Sequence, residues 1–109
     1  MWIDYMELNN DHFWKFNEGE ILKQVKDYII STYESHYADD ASSVQAIELI
    51  NSIGNGISFS QSSIIKYAAR YGKKDGLSKR DALKIIHFGI LMYHFSKHDT
   101  PPKNQYETI

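Results

Sequence analysis

The sequence of 109 residues contains no cysteine, which removes disulfide frameworks, thiolate catalysis and zinc–sulfur sites together. It also lacks any apolar run of the ~18 residues that a membrane-spanning helix requires. Met1-Trp2-Ile3-Asp4 is not a basic region leading into an apolar stretch, so no signal peptide is expected and the expected location is the cytoplasm. There is no Gly-x-x-x-x-Gly-Lys phosphate loop and no Gly-x-Gly-x-x-Gly turn, and Ser60, Ser62 and Ser63 form no nucleophile elbow. Nucleotide chemistry, if present, must run without the usual loop. Basic charge is scarce overall, with 12 Lys/Arg against 14 Asp/Glu and a net charge of −2. A phosphate backbone selects for a basic surface, so a general nucleic-acid binder is not expected.

The 42% hydrophobic and 14% aromatic content is that of a globular chain long enough for one core. No internal repeat or low-complexity segment divides it, so residues 1–98 are expected to form a single domain. Residues 1–17 read as an aromatic N-terminal arm, either irregular or a β-hairpin turning at Asn9-Asn10-Asp11. Ile21, Leu22, Val25, Tyr28, Ile29 and Tyr33 recur every three or four residues, which predicts a helix over roughly 18–35, with Asn17 and Glu20 as a capping box. A second helix begins at Ser42, turns Val44, Ile47, Ile50 and Ile53 inward and stops at Gly54. Ser58 or Ser60 is expected to cap a third, running to about Gly72. The fourth, roughly Lys79 to Lys97, is apolar nearly all round from Ile85 to Phe95, which suits a central helix or one shared between subunits. Pro101-Pro102 belongs to an exposed, flexible tail over 99–109. The expected fold is mainly α, a small bundle of about four helices, oligomeric through the 79–97 helix.

Charge is unevenly placed within this frame. Residues 64–84 carry seven Lys/Arg against Asp75 and Asp81, a local +5, and the remainder carries −7. Lys66, Arg70 and Lys73 fall at i, i+4 and i+7, one cationic stripe if the helix continues that far. Ile65, Ala68, Ala69 and Gly72 fall on the other side. The plain reading is a solvated helix face. The sharper reading is an anion site in which Arg70 supplies a planar fork, Lys66 and Lys73 point charges, and Tyr67 or Tyr71 a hydroxyl or stacking face.

Other candidates are weaker. His36 and Tyr37 precede Asp39 and Asp40, a loop more typical of solvated carboxylates than of a metal or acid/base site, although magnesium needs few protein ligands. His87, amid Ile85, Ile86, Phe88 and Ile90, reads as a hydrogen-bonded core or interface residue.

The ordered set His36-Tyr37, then Lys66-Tyr67-x-x-Arg70 with Lys73 or Lys74, then Asp81-Ala82-Leu83-Lys84 leading to Phe88 resembles a small phage-borne family often called SaV-like. That family includes a phage nucleotide kinase without a phosphate loop. The likeness covers about residues 36–92. It departs where the family has Gly-Asn-Ala, here Ser62-Ser63-Ile64, and where Ile85 replaces an alanine after Lys84.

Together these features lead to an expected phage-type nucleotide-binding protein, with Lys66, Arg70, Lys73 and Lys74 on phosphate, Tyr67 stacking or donating, and Ser63, His36 and Tyr37 completing the pocket. Sequestration of a cyclic or other signalling nucleotide, as an anti-defence sponge, is one form. The resemblance implies another, a nucleoside monophosphate kinase using Mg2+. A third is a helical adaptor that inhibits a host protein. No cofactor or membrane partner is otherwise expected.

Overall fold

The computed structural model describes residues 14–38 and 42–99, with side chains over 14–35 and 46–99. Residues 1–13 of the N-terminal arm, expected as irregular or a β-hairpin, the Asp39-Asp40 loop and the tail beyond residue 99 lie outside the described residues. Among the described residues four helices follow in order: α1 (Glu18–Ala38), α2 (Ser42–Ser52), α3 (Gly56–Arg70) and α4 (Lys79–Phe95). No strand occurs among the described residues. The chain is thus a small, mainly α bundle. No helix among the described residues is long and apolar enough to cross a membrane.

The helix ends show where local chemistry departs from expectation. Before α1, Asn17 takes a left-handed φ of 64°, and the Glu18 carboxylate accepts the Phe16 N–H at 2.8 Å. The expected Asn17–Glu20 capping box is not the device used. Trp14 packs its indole on Gly19, where a Cβ would collide with the ring. α2 closes in a Schellman motif, with Gly54 N–H on Asn51 O at 2.9 Å, Asn55 N–H on Ile50 O at 3.0 Å, and Gly54 at φ 90°.

α3 starts earlier than expected, at Gly56, and neither serine caps it. Ser58 donates to Asn55 O at 3.1 Å and Ser60 to Gly56 O at 2.8 Å, both bonds running back along the chain. α3 also stops short of Gly72. Tyr71 turns extended, Gly72 takes φ 84°, and its N–H bonds Gly76 O at 2.9 Å, folding residues 71–77 into a turn. α4 has a conventional start: the Ser78 hydroxyl accepts the Asp81 N–H at 3.1 Å.

α4 is the central element. It packs most extensively on α3, where Phe88 meets Phe59 edge-on and stacks with Tyr67 at ring-centre distances of 5.8 and 6.1 Å. On its other side His87 stands edge-on to Tyr28 and Tyr33 of α1, each at 6.1 Å. The core is thin. Among the described residues Val25 is the one fully buried apolar side chain, while Tyr28, Ile29, Ile47, Ile50, Phe59 and Leu91 are half-buried. Ile53, expected inward, is 73% exposed, because α2 ends at Ser52 and the closing turn carries Ile53 away from the bundle.

Candidate functional site

The cationic stretch folds into a cluster around one aromatic ring. Tyr67 lies on α3, half-buried and stacked on Phe88 of α4. Three cations approach its ring: Arg70 Cζ at 4.8 Å, Lys84 Nζ at 5.4 Å and Lys66 Nζ at 5.5 Å from the centroid. Lys66 and Arg70 flank Tyr67 at helical spacing, and Lys84 comes across from α4. Each contact is a cation–π interaction that also holds like charges close together.

Arg70 has a further commitment. Its Nε and Nη2 donate to the Asp81 carboxylate at 3.1 and 2.8 Å, a bidentate pair bridging α3 and α4. Asp81 is 3% exposed. The hydrogen bonds from Arg70 hold its carboxyl below the ordinary range, and the positive charges of Arg70, Lys84 and Lys74 act in the same sense. The guanidinium of Arg70 is raised in turn, chiefly by its bond to Asp81. The planar fork that the sequence offered to a phosphate is therefore turned toward a carboxylate.

The other expected residues fall in three places. Ser63 is on α3, half-buried. Lys73 and Lys74 are exposed in the turn after α3 and not on its face, so the stripe proper is Lys66 and Arg70, with Lys84 completing it from another helix. His36 and Tyr37 occupy the last turn of α1, with side chains outside the described residues.

Two hollows lie on the α1 side of α4, and the larger reaches the cluster through Lys84. The larger, a cleft with a cavity volume of about 520 Å3, lies between α1 and the first turns of α4. Tyr28, Ser31, Thr32 and Ser35 form one wall; Lys79, Arg80 and Lys84 stand on the other, with Leu83 between. The signal was present in the sequence as hydroxyl residues at 28, 31, 32 and 35, which is i, i+3, i+4 and i+7. The smaller hollow, about 230 Å3, sets Tyr33, Ile47, Leu91 and Phe95 beside Thr32, Glu48, His87 and His94. Among the described residues no three His, Asp or Glu gather as a metal site.

A family model described as a protein of unknown function (DUF3310) matches residues 31–88, more than half of the chain. That span takes in Tyr67 with its three cations, the Arg70–Asp81 pair and every lining residue of the larger cleft except Tyr28. No curated protein and no solved structure matches the chain.

Proposed function

The chain belongs to the DUF3310 family, whose function is unknown, and from that premise we propose that it binds a nucleotide or similar organic phosphate. The observation that carries this reading is the gathering of Lys66, Arg70 and Lys84 within 5.5 Å of the Tyr67 ring centre in a chain that is acidic overall. Arg70 is already paired with Asp81, but Lys66 and Lys84 form no ion pair with a described carboxylate, and a bound anion relieves the repulsion between them. The likeness to the SaV-like phage family supports a nucleotide over other anions.

Holding the ligand is favoured over turning it over. Phosphoryl transfer needs a residue to orient the acceptor hydroxyl, and Asp81, the carboxylate nearest the cluster, is engaged by Arg70 through both oxygens. Sequestration of a signalling nucleotide inside an infected cell is the biological form consistent with such a protein.

A thermal-shift panel of mono-, di-, tri- and cyclic nucleotides, with and without Mg2+, tests the reading. One nucleotide should raise Tm of the wild type and lose most of that effect in Lys66→Ala/Lys84→Ala, and it should be recovered unchanged after denaturation. A flat panel overturns the reading. Conversion of ATP and a monophosphate to diphosphates replaces it with the kinase.

A further inference from the structure

The cleft between α1 and the start of α4 has the properties of a site in its own right. It is concave, whereas Lys66 and Arg70 lie on the convex surface of one helix, and its volume of about 520 Å3 falls within the ~300–1,000 Å3 of small-ligand pockets. Lys79, Arg80 and Lys84 contribute three positive charges, and no carboxylate lines the cleft among the described residues. Unlike Arg70, Arg80 forms no ion pair with a described carboxylate, so its fork remains open to a planar anion.

The opposite wall is chemically matched. Ser31 and Thr32 donate to the Tyr28 carbonyl at 2.7 and 3.0 Å, which fixes their rotamers. The Tyr28 and Ser35 hydroxyls make no such bond among the described residues and are the wall's donors. The first-turn N–H of Asp81 is taken by Ser78, and the cleft's cationic wall is made by side chains. Lys84 belongs both to the cleft and to the Tyr67 cluster, which joins the two.

We propose that this cleft is a phosphate-recognition site, taking the phosphate or diphosphate end of a small organic ligand between the Lys79/Arg80/Lys84 wall and the hydroxyls of α1. The inference rests on the reading of the protein as an organic-phosphate binder and assigns the phosphates to residues outside the α3 stripe.

The experiment is calorimetric titration of the full chain with ADP and with pyrophosphate at two salt concentrations. The variants are Lys79→Ala/Arg80→Ala, Lys66→Ala, and Lys23→Ala/Lys26→Ala, which removes two exposed charges from the opposite face of α1. The cleft variant should weaken both probes by ~10-fold or more, the loss expected when charge-assisted hydrogen bonds to phosphate are removed. Lys79→Arg should retain binding, and Lys23→Ala/Lys26→Ala should match the wild type. Wild-type affinity in the cleft variant, with loss in Lys66→Ala, overturns the cleft assignment and leaves the binder standing. Equal weakening in the cleft and Lys23/Lys26 variants reduces the effect to diffuse charge attraction and overturns it too. No saturable binding of either probe by the wild type overturns the assignment and the underlying reading together. Circular dichroism of each variant separates these results from misfolding.

Discussion

Asp81 closes two local structures with one residue: its N–H completes the N-cap on Ser78, and its carboxylate takes the Arg70 fork from α3. Removing the carboxylate leaves a guanidinium facing a nearly buried, unpaired pocket, so the loss exceeds that of a surface ion pair. Asp81→Asn should lower Tm by more than ~5 °C at neutral pH, read by differential scanning calorimetry. The pH dependence has a definite sign. The folded carboxyl is held below its unfolded value of ~3.9, so the stability it contributes is complete above that pH and is lost as pH falls through the folded value. The Tm gap between wild type and Asp81→Asn should therefore be constant from neutral pH down to about pH 5 and narrow below pH 4. A gap that stays fixed into strong acid would show that Asp81 acts through packing and not through its charge. The partners are eleven positions apart in sequence, and nothing in helical spacing joins them. That is why the sequence offered Arg70 as a phosphate fork when α4 had already supplied an anion.

At the scale of elements, the helices themselves were legible because each carries apolar residues every three or four positions and a turn residue near its end. Their terminal chemistry was less so. Ser58 and Ser60 follow Gly54-Asn55-Gly56 and look like caps, yet their hydroxyls bond carbonyls behind them, a choice that depends on where the helix starts. The end of α4 shows the complementary case, a motif with an unexpected residue in it. His98 N–H reaches Tyr93 O at 3.2 Å and Lys97 N–H reaches His94 O at 2.8 Å, the bonds of a Schellman motif. Its left-handed position holds Lys97 at φ 63°, where a Cβ is crowded against the backbone. Glycine relieves that crowding at the cost of a looser unfolded chain. Lys97→Gly should stabilise the protein by ~0.5–1 kcal/mol, measured by urea denaturation with an unchanged m-value. A destabilised variant would mean that the lysine side chain is making a contact worth more than the strain it imposes.

At the scale of the whole molecule, the described residues bury little. Val25 is the one fully buried apolar side chain among the described residues, while Leu49, Ile53, Ile65, Ile86, Ile90 and Tyr93 are between 37% and 73% exposed. The apolar character of α4 all round was readable in the sequence, and the fold accounts for two of its sides: Phe88 faces α3 and His87 faces α1. Its third side, Ile86, Ile90 and Tyr93 at i, i+4 and i+7, is covered by no described element. A stripe of that spacing is the form in which one helix presents an apolar seam to another, and a symmetric pair of such seams satisfies itself. Leu83 and Lys79 of the cleft continue the same stripe at i−3 and i−7 from Ile86, so the seam runs toward the cleft along one face of α4. On this argument the wild type should run in light-scattering chromatography at a multiple of its 12.7 kDa chain mass. Ile90→Glu, which places a charge at the centre of the seam, should return it to the monomer and lower Tm in a concentration-dependent way. If the wild type is monomeric throughout, or Ile90→Glu leaves the assembly intact, the seam is not the contact. Leu49 of α2 and Ile53 of its closing turn are then the next surface to charge.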